Sequence, residues 1–152
     1  MLVVIASLGL YYDFDSFRSS SFHADRDSLV SALQHARIQA MSNVCLGGSA
    51  CTDGRSHGVR IRPADHPTSY VIFQSGDGNS NYLNRDDDFD SIFEINPTTK
   101  NGVNMQPDEI DEVLFEQLSG DVTVDGVITL TDDAGHTSII TISSEGQISW
   151  TN

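Results

Sequence analysis

The stretch Asp27-Ser-Leu-Val-Ser-Ala-Leu-Gln-His-Ala-Arg-Ile-Gln-Ala-Met41 decides the fold. Leu29, Leu33, Ala36 and Ala40 recur at i, i+4, i+7 and i+11, the spacing that aligns side chains on one face of an α-helix. Val30, Arg37 and Met41 form a flanking stripe. Asp25 and Asp27 stand in the first turns, where carboxylates favour the helix dipole. The spacing predicts a helix over 25–43, packed along one side against a sheet, with Gly47-Gly48 barring its continuation.

Downstream of it the pattern becomes that of strands. His57–Arg62 alternates Val59 and Ile61 against Arg60 and Arg62, and Ser69–Gln74 and Ser91–Asn96 are short apolar runs bounded by turn residues. Glu112–Gln117, Gly126–Thr131, Thr137–Ser143 and Gln147–Trp150 follow, the last pair joined by Ser144-Glu145-Gly146. The last three strands read as an antiparallel meander. Trp150 reads as a core aromatic of the last strand in preference to an exposed recognition group.

Upstream lies Met1–Leu10, Met-Leu-Val-Val-Ile-Ala-Ser-Leu-Gly-Leu, which ends before the acids Asp13 and Asp15. Ten to twelve apolar residues fall short of the ~20 that a membrane-spanning helix needs. The run lacks the basic region and small-residue cleavage site of a secretory signal peptide. Its composition fits either a buried strand or a helix.

The 152 residues suit about one domain. With 22 Asp+Glu against 8 Lys+Arg, the chain carries −14 at neutral pH. Such a surface repels phosphate backbones, and only Arg60 and Arg62 sit close enough to form a small basic patch, so nucleic acid is disfavoured as a partner.

Cys45 and Cys51 are spaced wrongly for a redox Cys-x-x-Cys pair and lack the further ligands of a zinc site. Gly47 and Gly48 let the intervening loop double back. The expectation is a local disulfide contributing about 2 kcal/mol, with a pair of free thiols as the alternative. The bridge would place maturation outside the reducing cytosol.

Asp77, Asn79, Asn81 and Asp88 fall at positions 1, 3, 5 and 12 of an EF-hand-like calcium pattern. Tyr82, however, occupies the sharp-turn glycine position, Arg85 the ninth, and neither flank reads as a helix. A solvated hairpin loop is the competing reading, and no other cofactor is indicated. The five histidines show no metal-binding spacing, and neither a nucleophile elbow nor a P-loop nor a dinucleotide fingerprint is present. The reading is therefore non-enzymatic.

The order of these features resembles the type IV pilin-like superfamily, most closely the minor pseudopilins of the GspH/FimT type. Met1–Leu10 looks like the interior of the pilin N-terminal segment, whose Gly-Phe-Thr-Leu-Ile-Glu processing motif would lie just before it. Leu33-Gln-His-Ala-Arg37-Ile-Gln-Ala40 resembles the family's Leu-x-x-Ala-Arg-x-x-Ala helix, followed, as there, by His57-Gly-Val and Tyr70-Val-Ile-Phe strands. Val113–Gly120, Gly126–Leu130 and Ile142–Trp150 resemble its closing strands. Asp13 and Asp15 break the apolar run sooner than a full pilin anchor would.

The resemblance implies an α+β fold in which an N-terminal helix packs on the antiparallel sheets of a β-sandwich head. Residues 1–24 would be the remainder of the apolar helix and its connection, and 25–152 the head. It implies a structural subunit of a type IV pilus or type II secretion pseudopilus, acting outside the cytoplasm by assembly. Leu2, Val3, Val4, Ile5, Leu8 and Leu10 would anchor it against other pilin or pseudopilin subunits, and in the inner membrane before assembly. The rival readings are a DNA-uptake minor pilin, opposed by the acidity, and an extracellular adhesion or glycan-binding module.

Overall fold

A computed structural model describes residues 2–47, 53–61, 64–65, 69–76, 81–94, 104–106, 110–132 and 135–152. Among these residues are one α-helix and two four-stranded antiparallel sheets, an α+β architecture.

Helix α1 runs unbroken over Leu2–Met41, about 60 Å at 1.5 Å per residue. This corrects the expected start near Asp25: no connection separates the apolar run from the Ala-Arg stretch. The physical reason is that residues 10–46 contain neither Gly nor Pro. Asp and Ser only lower helix propensity by fractions of a kcal/mol, so Asp13 and Asp15 do not stop propagation. The helix ends where Asn43 adopts φ 55°, a left-handed C-terminal cap, with the Val44 N–H donating to Gln39 O at 3.0 Å. It stops before the Gly47-Gly48 pair is reached.

The buried stripe of α1 is Phe22, Arg26, Leu29, Leu33, Ala36 and Ala40, spaced four, three, four, three and four residues apart. The expected face is thus the seated one, extended one turn N-terminally to Arg26 and another to Phe22. This stripe meets Val59 and Ile61 of β1 (His57–Ile61), Tyr70 and Ile72 of β2 (Ser69–Gln74), and Val113 and Phe115 of β5 (Glu112–Phe115) in one core. The second sheet adds Ile128 and Leu130 of β6 (Gly126–Thr131) and Ile140 and Ile142 of β7 (Thr137–Ile142) to the same core.

The first sheet has the order β3-β2-β1-β5, with β3 at Ser91–Glu94; the second has β4-β6-β7-β8, with β4 at Asn104–Gln106 and β8 at Ile148–Thr151. The expected meander is present as β6, β7 and β8. β7 alternates exposed and buried residues throughout, so the second sheet has one core face and one wet face. β2 is buried along its whole length because a segment closing over the outer face of the first sheet covers Val71 and Phe73. At Gly58 in β1, an added Cβ would lie 2.5 Å from the Phe73 ring and 2.6 Å from Val113 O, so only glycine admits that ring.

Candidate interaction surface

Two regions of the head have distinctive chemistry. The first is a groove of about 460 Å³ between the last turns of α1 and the start of β8, lined by Gln34, Arg37, Ile38, Met41, Gln147 and Ile148. Its construction follows from three close approaches. Arg37 Nη2 donates to Glu145 O at 2.9 Å, and Leu118 N–H donates to Ala40 O at 3.0 Å, so two turns clamp the end of α1. Gly146 has φ 68°, and a Cβ there would fall 2.0 Å from Gly120 O. Lacking that Cβ, the two turns touch and Arg37 reaches the Glu145 carbonyl.

In the groove lining Ile38 is 60% exposed and Met41 46%, and Trp150, two residues beyond Ile148 on β8, is 44% exposed. Trp150 therefore does not close the core as expected. It lies opposite Ile140 and so points to the core side of the sheet, but β8 is an edge strand and leaves the indole half in solvent. The face also lacks the acidity of the rest. Ser28–Thr52 contains no Asp or Glu, and 134–152 only Glu145, in a chain with 22 acids.

The second region is the acidic connection between β2 and β3. These strands pair antiparallel, as the hairpin-loop reading requires. The chain forms two 3-10 turns, Tyr82–Asn84 and Asp87–Phe89. Tyr82 is buried edge-on against Phe73, centroids 5.4 Å apart, and its N–H donates to Glu112 Oε1 at 2.9 Å. Arg85 lies 3.7 Å above the Tyr82 ring. Its Nε donates to Asp90 Oδ2 at 2.6 Å and its Nη2 to Asp65 Oδ2 at 3.1 Å. The Tyr82 hydroxyl donates to Asp65 at 3.1 Å.

Burial pushes the Tyr82 phenol up to about 12, with the Arg85 guanidinium opposing and Asp65 adding to the rise. Burial likewise raises the Asp90 carboxyl above its ordinary range, against the pull of Arg85, and Asp90 Oδ1 is buried without a partner. These contacts make a clasp that seats Tyr82 on the outer face of the sheet.

Of the calcium candidates, Asp77 and Asn79 lie outside the described residues. Asn81 Oδ1 accepts from Asn84 Nδ2 at 3.2 Å, and Asp88 is exposed in the second 3-10 turn. Among the described residues, no group of three or more His, Cys, Asp or Glu side chains is placed to hold a metal ion. Cys45 is disulfide-bonded; Cys51, the only other cysteine in the sequence, lies outside the described residues. Leu2, Val3, Val4, Ile5, Leu8 and Leu10 all fall within α1, at its N-terminal end. Among the described residues, no helix is long and apolar enough to cross a membrane.

The sequence reading missed both the groove and the clasp. The clasp joins residues up to 30 positions apart, and the groove joins residues more than 100 apart. The one legible signal was compositional, the acid-free run after Asp27. No family model matches the chain, and no curated protein or solved structure does either.

Proposed function

We propose that the chain is a structural, non-enzymatic subunit of the pilin-like kind, working outside the cytoplasm as part of a pilus or secretion pseudopilus. The observation that carries this reading is the continuity of α1. One helix bears the apolar residues Leu2, Val3, Val4, Ile5, Leu8 and Leu10 at one end. Its other end is seated by Leu29, Leu33, Ala36 and Ala40 on antiparallel sheets. A stalk whose apolar end lies many turns from the head core suits burial between like helices, and apolar burial drives such association. The disulfide at Cys45 accords with an oxidising compartment.

The test is a photo-crosslinking residue at Ile5 in the full chain, expressed in its native cell. Crosslinks to another subunit with an apolar N-terminal helix are expected, and Ile5→Asp should abolish the chain's recovery in sheared surface fractions. Recovery of the Ile5→Asp protein at undiminished level in those fractions would overturn the reading. A glycan-binding role gains the exposed Trp150, but the half-exposed Phe93 lies in the other sheet, stacked on Tyr70.

A further inference from the structure

We propose that the α1–β8 face is an interface between two copies of this chain, joined by antiparallel pairing of their β8 strands about a twofold axis. The proposal stands on the edge strand and the groove and does not rest on the pilin-like reading.

Among the described residues β8 has a neighbour on one side only, β7. Ser143 N–H donates to Gln147 O at 3.0 Å, which makes that pair hydrogen-bonded. Ladder alternation along the β7–β8 register then assigns hydrogen-bonded status to Thr141–Ser149, leaving Ile148 and Trp150 in the non-bonded positions. The N–H and C=O groups of Ile148 and Trp150 therefore turn outward to the free edge. Edge strands are ordinarily blunted by charge, proline or a bulge. Ile148-Ser-Trp-Thr151 carries neither a charged residue nor a proline, and its pairing with β7 is regular.

Charge selects the occupant. Two copies each carrying −14 repel over most of their surfaces. The groove face is where approach brings few acids together, since none of its six lining residues and none of Ile148–Thr151 is acidic. The strand is also self-complementary. With the axis at Ser149, Ile148 of one copy faces Trp150 of the other on the groove side, twice, and Ser149 faces its twin on the wet side. Outward backbone groups of Ile148 meet those of the partner's Trp150, an isologous contact that closes on itself. Ile38, the most exposed apolar residue of the groove, shares its lining with Ile148 and so borders the proposed contact.

Direction adds a consequence. Arg26 bonds Asn152 while Arg37 bonds Glu145, so α1 runs antiparallel to β8. A twofold normal to the sheet reverses both, and the two α1 N-termini point opposite ways. If the chain enters a filament of parallel helices, paired copies cannot enter it together, so pairing and filament entry exclude one another.

The test uses sedimentation equilibrium on the full chain at sub-millimolar concentration, with Ser149→Cys as the positional probe. Non-bonded antiparallel pairs hold their Cα atoms within disulfide range. Diamide should therefore link Ser149→Cys chains into dimers on non-reducing gels. Ile38→Asp and Trp150→Lys should each weaken dimerisation at least about tenfold with unchanged melting, and added salt should strengthen it by screening the net charge. Ser149→Lys, at a wet-face position, serves if either of those unfolds. A wild-type chain that stays monomeric overturns the proposal, as does a dimer that Ser149→Cys fails to crosslink. A dimer lost with Ile5→Asp but indifferent to Ile38→Asp also overturns it, while supporting association through the N-terminal helix. Loss of the crosslink together with undisturbed surface recovery would leave the pilin-like reading standing alone.

Discussion

The acidic clasp over the first sheet and the acid-free groove beside the second solve opposite problems. In the clasp, the Asp90 carboxylate is drawn inward and one guanidinium compensates it: Asp90 is 8% exposed and Arg85 16%. At the groove, apolar side chains stay in solvent beside a single charged lining residue, Arg37, and no carboxylate lines it. A buried charge is tolerated only where a partner is fixed in place, so the clasp is completed within the chain. Among the described residues, Ile38, Met41 and Trp150 leave apolar surface uncovered, the kind of surface a partner molecule covers. The contrast sets a region built for stability against the region proposed above for contact, and four tests probe it.

The largest effect is expected in the clasp. Arg85→Ala leaves the Asp90 carboxylate inside without its cation and should cost about 3 kcal/mol in urea denaturation. Arg85→Lys should recover little, because a point charge cannot reach Asp90 and Asp65 while stacking on Tyr82. A loss below about 1 kcal/mol would mean the pairs are solvated like ordinary surface bridges.

Next comes the frame of the groove. Gly146→Ala places a methyl 2.0 Å from Gly120 O at φ 68°. The backbone must shift, and about 2 kcal/mol of stability should be lost by the same assay. The Arg37–Glu145 contact should go with it, seen as faster exchange of the neighbouring amides. Unchanged exchange and stability would show that the two turns are not clamped together.

Two buried groups of the first sheet, His57 in β1 and Asp90 in the clasp, should also answer acid in opposite directions. His57 is fully buried, with Nε2 at 3.0 Å from Val44 O in the loop leaving α1, and burial lowers its pKa from 6.5. The unfolded chain takes up this proton first. Stability is therefore full above 6.5 and falls as pH drops through the window below it. Asp90 has its folded pKa raised above 3.8, so its contribution is full below 3.8 and is lost as pH rises through the folded value. His57→Gln should flatten the fall just below pH 6.5 in a melting series, and Asp90→Asn should steepen the loss nearer pH 4. Two superimposable profiles would refute both assignments.

Legibility in the sequence follows the same divide. β2 and β6 were read at their true limits because apolar runs stop against polar turn residues on both sides. The seated face of α1 was read from spacing alone. Its reach back to Leu2 is not legible that way, since Asp13 and Asp15 break the apolar run although nothing there breaks a helix. β4 went unseen because Asn104–Gln106 has no pattern of its own and exists through pairing with β6. Trp150 was misplaced because burial of an aromatic depends on whether its strand is central or at an edge, which strand order decides. The Arg85 clasp needed Asp65 and Glu112, which only the fold brings to Tyr82.

The smallest effect is the most telling for the groove. Ile38 is 60% exposed at the end of α1, outside the buried stripe. Ile38→Ser should therefore change the stability of the dilute monomer by no more than about 0.5 kcal/mol. A residue kept apolar for folding would cost several times that, as core truncations do. If the urea midpoint moves little while association weakens, the isoleucine serves contact. A loss of 2 kcal/mol or more, which core truncations reach, would place Ile38 in the core and return the groove to the same class as the clasp.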